Sequence, residues 1–232
     1  MSEAPAEIAA RVARVRERIA QAAARAGRRP EEIRLVAVSK VVSAERVREA
    51  VAAGITDLGE NYIQEAAEKQ AQITEPVRWH LIGHVQSNKA AKAAAIFDIV
   101  HTVDSPRIAR ALGRHAQAAG RELDALLQVN TSGEETKSGV APAEAERLLA
   151  EVAGVQGLRV RGLMTIGRWD PDPERARPEF RQLAQLAQDL ERRSGLELKW
   201  LSMGMSHDFE VAIEEGATLV RVGTGVFGPR PE

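Results

Sequence analysis

The sequence predicts a single α/β domain, a (β/α)8 TIM-type barrel over 33–228 preceded by an N-terminal helix within 1–28. Eight short apolar, β-rich runs alternate with Ala-, Glu-, Gln- and Arg-rich stretches of helical character, a pattern that favours a parallel sheet. Eight such units in 232 residues match the size of this barrel. No linker-like or low-complexity segment divides 1–232, so we expect one domain. An open doubly wound sheet is the alternative architecture.

The chain opens with an amphipathic segment. Ile8, Val12, Val15 and Ile19 recur at helical spacing among charged residues. Gly27 follows this pattern and is a typical helix stop. The segment therefore predicts an N-terminal helix with one apolar face.

The eight predicted strands follow in order. Of the helical stretches between them, the clearest carries Phe180, Leu183, Leu186 and Leu190 on one stripe and ends at Gly195. The strands are expected at 33–40, 55–61, 78–84, 97–103, 123–130, 158–167, 196–204 and 218–225.

Composition excludes several classes of function. The 32 basic and 33 acidic residues are interspersed and give a formal charge of -1, which argues against a nucleic-acid partner or an anionic membrane surface. The absence of cysteine excludes disulfides, thiolate metal sites and cysteine nucleophiles. With no apolar leader or spanning run in the sequence, we expect a cytoplasmic protein with a small-molecule ligand.

The last predicted strand runs into a G-x-G-x-x-G pattern formed by Gly223, Gly225 and Gly228. A dinucleotide fingerprint requires a long helix after the glycines and an acidic residue about twenty positions on. Pro229 and Pro231 are incompatible with such a helix, and the sequence continues only a few residues past Gly228. We therefore expect a glycine-rich turn that aims backbone N–H groups at a phosphate.

A second small-residue turn follows the seventh predicted strand, at 202–206. Barrels of this type hold phosphates after strands seven and eight, at the carboxyl ends of the strands. Ser206 is expected where the next helix begins, and free helix amides favour an anion. Alternatively, Ser206 is only a helix N-cap and the glycines form an ordinary turn.

The first predicted strand, apolar from Leu35 to Val38, ends in Ser39 and Lys40. A lysine at this position either reaches solvent at the rim of the barrel or takes part in binding. If it lies beside a phosphate site, the chemistry that fits is a Schiff base with pyridoxal 5′-phosphate (PLP), which carries both an aldehyde and a phosphate.

Seven short motifs together resemble the pyridoxal phosphate homeostasis protein family, which is similar to the N-terminal barrel of alanine racemase. The resemblance covers essentially the whole chain, and its specificity lies in the combination. The motifs are A-V-S-K, G-E-N-Y, W-H-L-I-G-x-x-Q-S-N-K, K-S-G, R-G-L-M, L-S-M-G-M-S and V-R-V-G-T-x-x-F-G.

This resemblance implies the roles of individual residues. Lys40 would form the Schiff base with PLP, and Asn61 would lie beside the cofactor. Arg221 would face the pyridine nitrogen and disfavour its protonation. The phosphate would be held by Ser206, Gly223 and Thr224, with Lys137 and Met203 as possible secondary residues.

The sequence favours a PLP-binding protein without turnover over a small amino-acid racemase. Racemisation needs a second acid/base opposite the lysine, and the only tyrosine, Tyr62, is expected to pack or hydrogen-bond locally. A sugar-phosphate enzyme that uses Lys40 is a third possibility. His80 and His84 are expected on one strand face, but without further ligands no metal site is predicted. His207 is expected in the first turn of a helix. The resemblance implies a monomer that supplies PLP to apo-enzymes.

Overall fold

The computed structural model describes residues 5–134 and 136–229 and confirms the predicted barrel. Eight parallel strands follow one another around the sheet in chain order, and the eighth pairs with the first. The closing contact sets Leu35 beside Val220 and Val36 beside Arg221. The strands are β1 (Arg34–Val38), β2 (Asp57–Glu60), β3 (Arg78–Leu81), β4 (Ile99–Val103), β5 (Leu123–Gln128), β6 (Leu158–Met164), β7 (Trp200–Met205) and β8 (Leu219–Val222).

Helices surround the barrel, and none in the described part of the chain is both long and apolar enough to cross a lipid bilayer. Their bounds are α1 (Pro5–Arg25), α2 (Ala44–Ala52), α3 (Ile63–Gln70), α4 (Ala90–Ile96), α5 (Pro106–Ala118), α6 (Ala145–Val152), α7 (Arg177–Ser194), α8 (Phe209–Glu214) and α9 (Thr224–Phe227).

All eight predicted strands are present, and each is shorter than the run of residues that predicted it. The excess residues form the loops at the strand ends, because ladder bonds exist only where two neighbouring strands overlap. One strand, β7, extends beyond its prediction by one residue to Met205. Up to residue 229, where the described part of the chain ends, β8 is followed by a single helical turn, α9, after Gly223.

The N-terminal helix α1 packs against the helices that follow β7 and β8. Its apolar residues Val12, Val15 and Ile19 are buried as predicted, and α1 contacts α8 and α9. The Arg18 guanidinium lies 4.6 Å from the centre of the Phe209 ring and pairs with Glu210 at 3.1 Å. This helix therefore supports the turns that follow β7 and β8.

The sheet of the barrel separates two buried regions that differ in polarity. The outer one, between strands and helices, is a continuous apolar cluster that includes Leu58, Leu81, Leu127 and Val220. Side chains of alternate strand residues point the other way, into the barrel. Branched apolar residues usually fill that space, but here it also contains buried polar side chains, namely Asp57, His80, His101, Ser202 and Arg221.

These five side chains form one continuous chain of hydrogen bonds across the barrel. Asp57 Oδ1 lies 2.9 Å from His80 Nε2, and His80 Nδ1 lies 2.9 Å from His101 Nε2. His101 Nδ1 lies 2.8 Å from Ser202 Oγ, which accepts a bond of 2.6 Å from Arg221 Nη1. The chain joins β2, β3, β4, β7 and β8, so it crosses most of the barrel. We call it the interior chain.

Burial determines the charge of the two histidines. Burial lowers the pKa of His80, and the opposing effect of Asp57 does not restore it. The pKa of His101 is well below its ordinary value, mainly because of burial, and the neighbouring His80 and the positive charge of Arg221 lower it further. Asp57 is also buried, which raises a carboxyl pKa, but hydrogen bonds from His80 and Thr56 outweigh that effect and lower it. Two neutral imidazoles therefore lie beside an ionised carboxylate.

A second buried polar cluster ties β1 and β2 to α3 on the outside of the barrel. Ser39 Oγ donates to Glu60 Oε1 at 2.6 Å, and Lys69 Nζ donates to the same oxygen at 2.6 Å and to Glu65 at 2.7 Å. Lys69 also donates to the Ser39 carbonyl oxygen. Burial raises the pKa of Glu60 despite these donors. The cluster fixes the backbone immediately before Lys40.

We predict that folding stability decreases as the pH falls below about 6.5. Burial lowers the pKa of both histidines in the folded protein, so the unfolded chain takes up protons more readily below the ordinary value of 6.5. Each such proton lowers the free energy of unfolding by up to about 1.4 kcal/mol per pH unit. Thermal unfolding at pH 8, 6 and 5 measures this slope.

Two variants serve as controls for this prediction. His101→Phe is expected to remove one proton from the slope, whatever its effect on stability at pH 8. Thr102→Val, which removes a buried hydroxyl of β4 and no titrating group, is expected to leave the slope unchanged. Stability that stays constant from pH 8 to 5 in the unmodified protein would contradict the prediction.

Candidate functional site

Five of the predicted site residues follow four neighbouring strands at one end of the barrel. Lys40 lies two residues after β1 and Asn61 directly after β2. Ser206 follows β7, while Gly223 and Thr224 follow β8. Because β7, β8, β1 and β2 are consecutive in the closed sheet, the carboxyl ends of these strands lie side by side. The structure therefore groups these residues around one sector of the barrel mouth.

The turns after β7 and β8 are joined directly. Ser206 Oγ accepts hydrogen bonds from the backbone N–H of Gly223 at 3.1 Å and of Gly225 at 3.5 Å. A Cβ atom on Gly225 would approach Val222 Cγ1 to 2.7 Å and Val15 Cγ2 to 3.3 Å, so any side chain there would displace the turn. The glycine allows the β8 turn to lie against α1 while its N–H reaches Ser206.

The sequence analysis was wrong about the start of α8. This helix begins at Phe209, three residues after Ser206, and neither Ser206 nor His207 belongs to it. Asp208 Oδ1 accepts the Met205 N–H at 2.6 Å, so the turn after β7 extends to Asp208 before the helix begins. His207 is exposed in that turn, and its Nε2 lies 3.0 Å from the Pro171 carbonyl oxygen. The Ser206 hydroxyl consequently faces the β8 turn instead of capping a helix.

The turn that carries Lys40 has an unusual backbone conformation. Val41, the next residue, has φ of 58°, a region that β-branched residues rarely occupy. Its N–H donates to Glu65 Oε1 at 2.6 Å, and the Val42 N–H donates to the Ser39 carbonyl at 3.0 Å. Lys69, in the second buried polar cluster described above, holds both Glu65 and Ser39 by hydrogen bonds. The surrounding structure thus holds this turn in a conformation that the valine does not favour by itself.

Arg221 lies inside the barrel below the turn of β8. Its Nη1 donates to Ser202 Oγ at 2.6 Å and its Nη2 to the Thr165 carbonyl oxygen at 2.8 Å. Burial lowers the pKa of Arg221 to about 10, with Asp208 acting in the opposite direction. At that value the guanidinium remains positively charged near neutral pH. Two nitrogens with separate acceptors fix the plane of the group.

The two possible secondary residues lie elsewhere. Lys137 Nζ donates to the Gly167 carbonyl oxygen at 3.0 Å and pairs with Glu134 at 3.0 Å, so it links the loops after β5 and β6. Met203 is fully buried and belongs to the outer apolar cluster. Strand alternation directs its side chain away from the interior that Ser202 faces.

The remaining histidine and tyrosine expectations need correction. His80 and His84 do not share a strand face, because β3 ends at Leu81 and His84 lies in the following loop, 3.9 Å from Asp104. No group of three or more potential ligands for a metal ion occurs among the residues that the structure describes. Tyr62, expected to pack or hydrogen-bond locally, precedes α3 with a side chain that is 60% exposed.

The sequence analysis missed the interior chain. It considered His80 only as half of a metal pair, placed Ser202 in the predicted turn at 202–206, and did not consider Asp57 or His101. A signal was present at His101 and Ser202, since each interrupts a largely apolar strand. What the sequence lacks is the register of the strands, which brings residues 101 positions apart within hydrogen-bond distance.

Comparison with known proteins identifies the barrel. The model of the alanine racemase N-terminal domain matches residues 11–231. An alanine racemase from Clostridium difficile superposes with a TM-score of 0.74 at 15% identity, over 87% of this chain and 53% of the racemase. At that identity the likeness concerns the fold alone.

Closer relatives share most of their length with this chain. The pyridoxal phosphate homeostasis protein of Pseudomonas aeruginosa is 48% identical over 226 residues, 96% of each chain. That of Escherichia coli is 43% identical over 228 residues, 97% of each. The structure of PipY from Synechococcus elongatus with PLP bound has a TM-score of 0.84 at 38% identity, covering 95% of this chain and all of PipY. The chain therefore belongs to the family of pyridoxal phosphate homeostasis proteins.

Proposed function

We propose that this protein binds PLP reversibly at the barrel mouth and acts in intracellular PLP homeostasis without turnover of its own. The observation that carries the proposal is the grouping of Lys40, the joined turns after β7 and β8, and the buried cation of Arg221. A relative of 38% identity has been solved with PLP bound, which supports the same ligand here. We further propose that 1–232 acts as one binding domain, in the cytoplasm and as a monomer.

The residues present fit the chemical groups of PLP. This cofactor supplies an aldehyde that an amine can capture and a phosphate that anchors it. Lys40 provides the amine, and Asn61 on the neighbouring strand end provides an amide beside it. Ser206 and Thr224 provide hydroxyl donors of the kind that bind phosphate in turns after β7 and β8, and the Gly223 N–H holds the Ser206 hydroxyl oxygen in place. The absence of a side chain on Gly225 keeps that turn open to Ser206.

Arg221 supports binding without catalysis. We place its guanidinium beside the pyridine nitrogen of the cofactor, where a fixed positive charge disfavours protonation of that nitrogen. An unprotonated ring withdraws electrons weakly, so bonds to an amino acid's α-carbon are poorly activated. This residue contributes affinity and orientation while it limits the reactivity of the site.

A racemase needs a second acid/base on the side of the substrate opposite the lysine. The only tyrosine of the sequence, Tyr62, is 60% exposed at the start of α3. The buried histidines are neutral members of the interior chain, with both ring nitrogens in contact with its other members. Neither arrangement supplies an acid poised above the mouth. We therefore favour a carrier that passes PLP to apo-enzymes.

We expect PLP to be attached at Lys40. Borohydride treatment of the PLP-loaded protein should fix the link as a stable amine, and peptide mapping should find the added mass on Lys40. Lys40→Met should lose the label, whereas Lys92→Met should retain it, because Lys92 lies on α4 and contacts Gln64. A label on another lysine would contradict the assignment.

We expect the phosphate to provide much of the affinity. Hydrogen bonds to a charged acceptor are worth about 1.5–3 kcal/mol each, so Ser206→Ala and Thr224→Val should each weaken PLP binding roughly 10- to 150-fold. Titration with pyridoxal, which lacks the phosphate, should show weak binding that neither variant changes further.

The control for the phosphate site is Ser105→Ala, at a serine after β4 on the same end of the barrel. This variant should bind PLP like the unmodified protein. Equal affinity for PLP and pyridoxal, or equal weakening of both by Ser206→Ala, would show that the glycine-rich turns do not bind a phosphate.

The distinction between carrier and enzyme is tested by two incubations of PLP-loaded protein. With alanine and other amino acids in deuterated water, we expect no change of chirality and no α-deuterium uptake at enzymatic rates of about 1–10³ per second. With an apo-PLP enzyme, we expect its activity to return. Turnover in the first incubation, or no transfer in the second, would contradict the carrier function.

A further inference from the structure

The interior chain has a defined direction, which follows from its two ends. Asp57 is an ionised carboxylate and can only accept hydrogen bonds. His80 must therefore carry its hydrogen on Nε2, the nitrogen that lies 2.9 Å from Asp57. A neutral imidazole has one N–H, so His80 Nδ1 is an acceptor. The next residue in the chain, His101, has to supply the hydrogen for that bond.

The same reasoning continues to the other end. His101 carries its hydrogen on Nε2, facing His80, so its Nδ1 accepts from the Ser202 hydroxyl at 2.8 Å. The single hydroxyl hydrogen of Ser202 is then used, and its oxygen accepts from Arg221 Nη1 at 2.6 Å. All four bonds donate in one direction, from Arg221 toward Asp57. Arg221 can only donate, so both ends of the chain agree.

The distribution of charge along this chain is informative. Its anionic end, Asp57, lies at the amino end of β2, where Arg78 pairs with it at 3.1 Å and Arg34 lies at 3.7 Å. A cavity of about 470 Å³ at that end of the barrel is lined by all three residues. Its cationic end, Arg221, has a hydroxyl and a carbonyl as acceptors in place of a carboxylate. The positive charge of Arg221 is therefore oriented without a carboxylate in direct contact.

We propose that Asp57, His80, His101 and Ser202 are positioning residues that hold the Arg221 guanidinium beside the cofactor ring. A carboxylate in direct contact would fix the guanidinium equally well, but it would cancel the field that keeps the ring nitrogen unprotonated. The interior chain fixes the group with a neutral hydroxyl and places the chain's own carboxylate, Asp57, at the far end, beyond three neutral side chains. This inference rests on the proposed function, in which Arg221 faces the pyridine nitrogen.

The direction of the chain can be tested without the cofactor. Nitrogen-15 NMR of the PLP-free protein distinguishes the two neutral forms of an imidazole. We expect both His80 and His101 to carry hydrogen on Nε2. Hydrogen on Nδ1 of either ring, or a doubly protonated ring at pH 7.5, would overturn the assigned direction and with it the proposal. This result is independent of whether PLP binds.

The positioning role is tested with PLP labelled with nitrogen-15 in the ring. In the loaded protein at pH 7.5 we expect the signal of an unprotonated ring nitrogen. Ser202→Ala should retain the link to Lys40 but move this signal toward the protonated form and weaken PLP binding roughly 2- to 10-fold. His101→Phe, which removes the chain beyond Ser202, should move the signal in the same direction. Ser202→Thr, which keeps the hydroxyl, should give the same ring-nitrogen signal as the unmodified protein.

The matched control is Thr102→Val. Like Ser202→Ala, it removes one buried hydroxyl, but from β4. Thr102 donates to the Gly83 carbonyl oxygen at 2.9 Å, outside the interior chain. Its loss should leave the ring-nitrogen signal unchanged. If the unmodified protein binds PLP at Lys40 but neither Ser202→Ala nor His101→Phe moves the signal, or Thr102→Val moves it equally, the positioning role is wrong. A wild-type chain that does not bind PLP would instead contradict the proposed function.

Discussion

A positively charged guanidinium buried in the middle of the barrel imposes conditions that the rest of the interior has to meet. Arg221 is 4% exposed and needs acceptors wherever its nitrogens point. Ser202 and the Thr165 carbonyl supply them, and the hydroxyl of Ser202 in turn needs an acceptor of its own. Two neutral histidines carry this requirement across the barrel to Asp57. One buried charge thus accounts for polar residues on five strands.

The mouth of the barrel is organised by a different constraint, the geometry of the strand ends. The outer cluster of Ser39, Glu60, Glu65 and Lys69 holds the β1 turn, including the positive φ of Val41, from outside the sheet. Because this cluster lies on the opposite face of the strand from the interior chain, the two networks are separate. The first fixes the backbone that carries the lysine, and the second fixes the charge beneath the mouth.

The same barrel occurs in alanine racemases, whose sequences are only about 14–15% identical to this one. A shared barrel therefore says little about reactivity, which depends on the groups placed around the cofactor. Here the groups that the structure brings together are those that bind and orient. Donors converge at the turns after β7 and β8, and the nearby cation is held by neutral partners. This arrangement supports the carrier function that we propose.

The sequence by itself determined the barrel, because eight apolar runs separated by helical stretches are local patterns that do not depend on distant contacts. It also located Lys40, Ser206 and Gly223 at strand ends, since motif position relative to a strand is again local. The helix start after β7 was not predicted, because it depends on the Asp208 side chain accepting the Met205 N–H while the Ser206 hydroxyl accepts from the distant β8 turn. The interior chain was decided only by tertiary structure. Its bonds join residues 19 to 101 positions apart, and their contact exists only once strand register and closure of β8 on β1 are set.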